Sequence, residues 1–357
     1  MLKMILLLFS FMNLSNSFFN FTIQLYSSTD SWNIIRPELT FKSNTELNVN
    51  AFIYNTSPPA SSITIQRKGS NQYYINFSGY EKGTLNIIIN TPLISLNEMF
   101  ISAKQIKKIK LISSGENVQY MESTFENCNS LASVDLTEFD LSNVVSFKRT
   151  FFRCSLSHVE SGNSTIANVE NMGQMFYSCS LSTLDLSVFD TSKVTDMNGL
   201  FYGHKWVSLN LKNFNTSLVT NFSYMFGGLD YLYNLEISHL DTSNCIDMTG
   251  MFYGCRRLSF LNVSNFDTSL VTSMDYMFNS CGNLTSLDLS NFNTSSVKSM
   301  NYMLSVFYTD YCCFSYSLMR SLDLSNFNTS LVTSMKGMFY SCWNLVKLNI
   351  KVLILLQ

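Results

Sequence analysis

The chain has 357 residues and a net charge of −2, and only 13% of its residues are charged. No basic stripe stands out, so the sequence lacks the electrostatic footprint of a nucleic-acid binder. Asn, Ser and Thr replace charge as the solvated residues.

Met1–Ser17 reads MLKMILLLFSFMNLSNS: one Lys, an apolar run, then small residues. This pattern predicts a secretory signal peptide over 1–17, and its run is too short to span a bilayer core. No other stretch approaches transmembrane length, and no Cys occurs before Cys128 to serve as a lipid-attachment site.

Residues 18–98 lack the pattern that dominates the rest. Thr40–Asn50, Ile63–Arg67, Tyr73–Phe77 and Thr84–Asn90 alternate or are rich in β-branched and aromatic residues, with Gly and Pro between them. A small β-rich domain or cap is expected here, with a hairpin over Ile63–Phe77. A stack of repeats needs such a cover, because its first unit would otherwise expose half its core.

From about residue 99 to the end the chain repeats itself. Aligned on the aromatic of an M-F pair, the copies fall at Phe100, Phe125, Phe151, Phe176, Phe201, Phe226, Phe252, Phe278, Leu304 and Phe339. A period in this range predicts units that bury their apolar faces only against their neighbours. Within a unit, Leu284-x-x-Leu287-x-Leu289 has leucine-rich-repeat spacing, with Leu287 and Leu289 inward on a short strand and Asp288 outward. A turn of the type Phe292-Asn-Thr-Ser follows, whose Asn or Asp is expected to cap backbone N–H groups. Val271-x-x-Met274-x-x-Met277-Phe278 then fits one face of a short helix or 3₁₀ segment. The fold class expected is an α/β repeat: a leucine-rich-repeat-like right-handed solenoid of about ten units of 25–26 residues. An insertion over 305–316 should bulge from one face. The ending Lys351–Gln357 replaces the usual turn with apolar residues and suggests a truncated chain.

Chemical motifs are few. Cys128, Cys154, Cys179, Cys255, Cys281 and Cys342 share one slot and should point in parallel, which favours buried thiols over disulfides. Cys312 and Cys313 in the insertion are the better disulfide candidates. His204 follows three of these cysteines in the same slot. A zinc site there is excluded, because four neighbouring repeats span roughly 14 Å. No metal or cofactor is expected. Tyr177, Tyr202, Tyr253 and Tyr340, with Tyr224, Tyr276 and Tyr302, form columns that are either exposed for binding or half-buried at corners.

The repeat resembles that of the BspA-like leucine-rich repeat surface proteins, which reads roughly MF-x-x-C-x-x-L-x-x-L-D-L-S-x-F-D-T-S-x-V-T-x-M. Met251–Met274 and Met277–Met300 match it nearly throughout. Some members place an Ig-like or PKD-like domain before the repeats, and the junction near Gly83 is similar. The resemblance implies a non-enzymatic extracellular protein used in adhesion, though no wall-sorting motif or membrane anchor is visible in this chain.

The function expected is therefore adhesion, or protein or glycan binding at the cell surface, through the outward strand column. That column contains Lys110, Asp135, Asp185, Asn210, Glu236, Asn262, Asp288 and Asp323. The partner would be an extracellular protein or glycan on another cell or matrix, and not nucleic acid. Ten sequons are N-glycosylation acceptors in a eukaryotic secretory pathway: Asn20, Asn55, Asn76, Asn163, Asn215, Asn221, Asn262, Asn283, Asn293 and Asn328. Two alternatives stand beside adhesion. One is a polysaccharide-acting enzyme using Asp288 and Asp323 at a retaining-glycosidase spacing. The other is a passive coat component or truncated paralogue.

Overall fold

The computed structural model describes the strand residues between 19 and 89, then residues 94–103, 106–113, 118–161, 166–181, 186–206, 208–306 and 317–350. The segment 1–17 expected to be a signal peptide, residues 307–316 with Cys312 and Cys313, and residues 351–357 lie outside the described residues.

Among the described residues, six strands precede the repeats: β1 (Phe19–Leu25), β2 (Glu38–Lys42), β3 (Val49–Tyr54), β4 (Thr64–Arg67), β5 (Gln72–Asn76) and β6 (Gly83–Ile89). β4 pairs antiparallel with β5, and β5 with β2, in a three-stranded sheet. β1 sits between β6 and β7 (Ile106–Ser113), antiparallel to both. β7 then pairs in parallel with β8 (Ser133–Glu138), and β8 with β9 (His158–Glu160). One six-stranded sheet, in the order β3-β6-β1-β7-β8-β9, therefore joins the N-terminal strands to the first repeats. β1 closes the edge that the first repeat strand would otherwise leave open.

The repeats stack in sequence order. Parallel bridges run from Ser95 through Tyr120, Ser146, Asn171, Asp196, Asn221, Asp247, Ser273 and Ser299 to Ser334. Ser95 to Tyr120 is a step of 25 residues, and Ser299 to Ser334, across the insertion, is one of 35. The ladder begins at Ser95, so repeat structure starts just before the boundary expected at 98/99.

Two expectations about secondary structure need correction. Among the described residues, regular strands occupy only the first three repeat units and the last two, the latter as β10 (Ser321–Leu324) and β11 (Lys347–Ile350), which pair in parallel. No helix occurs among the described residues, where short helical or 3₁₀ segments were expected. The Met-Phe segment is instead a ribbon of consecutive turns. Around Phe278, the N–H groups of Met277, Asn279 and Cys281 bond to carbonyls three residues back in the same repeat, at 3.0–3.3 Å. Those of Tyr276, Phe278 and Ser280 bond to Asn301, Met303 and Ser305 of the next repeat, at 2.7–2.9 Å.

This alternation requires the backbone to turn left-handed twice per repeat. The residue two before the aligning aromatic has φ near +55° in every unit, from Glu98 through Arg149, Tyr224 and Tyr302 to Gly337. The residue two after it does the same in most units, as at Asn127, Gly203 and Ser280. A right-handed helix cannot pass through such residues. The apolar spacing that suggests a helix survives because turn ribbon and helix both return a side chain to the core after three or four residues.

The core forms columns along the stack. Phe100, Phe125, Phe151 and Phe176 are stacked at 5.4–5.8 Å between centroids, and Phe226, Phe252 and Phe278 at 5.6–5.7 Å. Leu287 and Leu289 are buried and Asp288 is exposed, as the alternation requires. A column of buried threonines fastens the corners. Thr268 Oγ1 donates to the Asn293 carbonyl at 3.0 Å and accepts from the Asn293 N–H at 2.8 Å. Thr294 does the same for Asn328. Thr268→Val keeps the shape but removes two part-buried hydrogen bonds to the Asn293 backbone, so a loss of about 1–2 kcal/mol is expected in urea unfolding. An unchanged midpoint would remove this role.

Candidate binding face

Lys110 and Asp135, at the start of the outward column, are half-buried. Asn210, Glu236, Asp288 and Asp323 are exposed, and Asn262 is intermediate. Asp185 lies outside the described residues. The structure therefore places the described members at equivalent positions of stacked repeats.

These side chains are also structural. Asp135, Asn210, Glu236, Asn262, Asp288 and Asp323 each accept a hydrogen bond from the backbone N–H two residues on, at 2.9–3.1 Å. An acceptor at this position caps the turn that follows, which explains why Asp and Asn recur there. The bonds hold the carboxyls below their ordinary range: Ser290 acts through its backbone N–H on Asp288, and Ser325 through its side chain on Asp323. Lys110 is raised, first by its hydrogen bond to Glu138 at 2.7 Å, and Asp135 lies 3.3 Å from the same ammonium. Burial pushes the Asp135 carboxyl up, but its bonds from Thr137 and Lys110 outweigh that and lower it. A retaining glycosidase needs one carboxyl raised toward neutrality to act as an acid. Neither Asp288 nor Asp323 is raised.

The corner residues repeat the same device. Asp190, Asn215, Asp241, Asp267, Asn293 and Asn328 each accept from the N–H two residues on, at 2.9–3.1 Å. Three of the sequon asparagines are thus corner caps, and Asn221 and Asn262 cap Ser223 and Ser264. Asn283 is exposed and makes no such cap. Asn20 and Asn76 fall within β1 and β5, while Asn55 and Asn163 lie outside the described residues.

The cysteine slot has a definite job. Each thiol donates to the carbonyl of the aligning residue in the preceding repeat: Cys128 to Phe100 at 3.0 Å, Cys154 to Phe125 at 2.8 Å, Cys281 to Phe252 at 3.1 Å. Burial pushes the Cys128 and Cys281 thiols up to about 12, which leaves them protonated as donors. All seven described cysteines are free. His204 takes the slot once, with Nε2 2.5 Å from the Phe176 carbonyl. No group of three or more metal-ligating side chains that could hold an ion occurs among the described residues.

Sequence reasoning missed how the tyrosines are seated. They form one half-buried column that runs from Phe152 through Tyr177, Tyr202, Tyr224, Tyr253 and Tyr276 to Tyr302, with centroids 4.4–6.4 Å apart. Several rings cover a glycine of the following repeat: Tyr177 over Gly199, Tyr202 over Gly227, Tyr224 over Gly250 and Tyr302 over Gly337. The signal was present in the sequence. Where one of the two slots beside the aligning aromatic holds Tyr, the facing slot of the next repeat is often Gly.

No helix among the described residues is long and apolar enough to cross a membrane. The model of a family described as "Mycoplasma protein of unknown function, DUF285" matches the chain four times, over residues 90–185, 171–260, 233–309 and 257–352. No curated protein and no solved structure matches.

Proposed function

The chain belongs to the DUF285 family, and from this we propose that it is a secreted or surface-held repeat protein of the BspA-like leucine-rich type, mediating adhesion. In this reading the bridged units form a right-handed solenoid that presents an extended face to a protein or glycan on another cell or matrix. It performs no catalysis, and in a eukaryotic host some of its sequons carry glycan.

One observation carries the reading. The stack brings Asn210, Glu236, Asp288 and Asp323, each from a different repeat, to equivalent exposed positions over buried leucines. A row of hydrogen-bonding groups held over repeated packing is how repeat scaffolds present an extended binding face. Asn210, Glu236, Asp288 and Asp323 keep exposed carboxylates and amides even while one atom of each caps the backbone.

The test is a cell- or matrix-binding assay with the full chain and a Glu236→Lys/Asp288→Lys variant. Binding should fall about tenfold or more while the melting temperature stays within a few degrees. Unchanged binding by a folded variant would refute this choice of face.

A further inference from the structure

In each repeat a short stretch joins the cysteine slot to the inward leucines, and these stretches stack along one edge. Charge on that edge is one-sided. Among the described residues it carries Lys107 and Lys108 in the first repeat, then Lys205, Arg256, Arg257, Arg320 and Lys347. Its carboxylate is Asp230, which Arg256 engages at 3.1 Å. The whole chain has a net charge of −2, so cations are concentrated here. None of this shows as a long basic run, because the repeats contribute one or two residues each.

Aromatic rings lie among the cations. Arg257 sits over Tyr231 at 5.3 Å and Tyr233 at 5.7 Å, and donates to the Tyr233 hydroxyl at 2.6 Å. Phe260 is 59% exposed in the same stretch. Adjacency along the edge is direct: the Ser259 N–H bonds to the Tyr233 carbonyl, and Ser321 registers with Lys347. At one ladder spacing per repeat, Lys205 to Lys347 covers roughly 24 Å.

We propose that this edge binds a linear anionic polysaccharide, one bearing carboxylate or sulfate groups. Cations fixed in a row repel one another, and a polyanion laid along them removes that repulsion. The guanidinium fork fits carboxylate and sulfate, and the exposed rings offer faces to sugar C–H groups. A bilayer fits less well. Leu318, Trp343 and Val346 are also exposed on this edge, but the repeat between them and Phe260 places exposed Asn283, Thr285 and Ser286 here, so the apolar groups form two separate clusters. The choice of polysaccharide over nucleic acid rests on the extracellular reading above; the edge borders the acidic column, with Lys347 acting on Asp323, but the residues that form it are different ones.

The test is titration of the full chain with heparin, used as a sulfated probe, at two salt concentrations. Wild type should bind, more weakly at high salt. Lys205→Glu/Arg257→Glu/Lys347→Glu should bind about tenfold or more weakly. Lys148→Glu/Lys212→Glu/Lys336→Glu, which reverses exposed cations elsewhere, should bind within about twofold of wild type. Phe260→Ala, which leaves the charge intact, should also weaken binding. No heparin binding, equal losses in both triple variants, or tighter binding to phosphatidylserine vesicles or single-stranded DNA would each overturn the proposal. Glu236→Lys/Asp288→Lys should retain heparin binding, so failure of the adhesive face and failure of this edge are read separately.

Discussion

Replacing Gly250 with alanine is expected to lower the unfolding free energy by about 3 kcal/mol, from a left-handed backbone cost of about 1–2 kcal/mol and an overpacking cost of similar size. Gly250 has φ +58°, a conformation that penalises any Cβ. Its Cβ would also fall well inside van der Waals contact of the Tyr224 ring. That ring has little room to yield, since Tyr202 and Tyr253 lie 6.1 Å to either side. A double-mutant cycle separates the two costs. Tyr224→Ala should relieve the steric share of the Gly250→Ala penalty and leave the backbone share. Denaturant midpoints of the four proteins supply the numbers, and additive effects would show that ring and glycine do not meet.

The second large effect is acid sensitivity at His204. The side chain is 1% exposed, its ring stacks on Trp206 at 3.9 Å, and its Nδ1 has no hydrogen-bond partner. Nε2 therefore bears the proton that bonds to the Phe176 carbonyl, and Nδ1 is bare. Burial lowers the pKa to about 4, against 6.5 for the ordinary side chain. The unfolded chain takes up a proton near pH 6.5 and the folded chain does not. Stability from this group is thus complete above pH 6.5 and is lost as pH falls toward 4, in total about 3 kcal/mol. His204→Cys restores the thiol donor used in the neighbouring slot by Cys179, which bonds to Phe151 at 2.6 Å. The variant should lose that much less stability between pH 7 and pH 4, whatever its stability at pH 7. Equal pH dependence in the two proteins would rule out His204 as the source.

Much of the candidate binding face was readable in advance. Asp288 lies between two inward leucines, and strand alternation alone sends it outward. Its second role, capping Ser290, was not read there, although the same chemistry was foreseen for the corner at Asn293. The tyrosine column was left between exposed and half-buried. Which of the two holds depends on the residue facing each ring, and that residue is about 25 places away in the chain.

The sequence by itself determined the repeat register, the inward and outward slots, the corner caps and the parallel thiols. These follow from periodicity, because equivalent residues of stacked units must share one environment. Only the tertiary structure decided the turn ribbon, since half of its N–H groups find their partners in the next repeat and no local pattern encodes that. It also decided the seating of Tyr224 on Gly250 and the gathering of Lys205, Arg257, Arg320 and Lys347 on one edge. Each of those joins residues that are neighbours along the stack and distant along the chain.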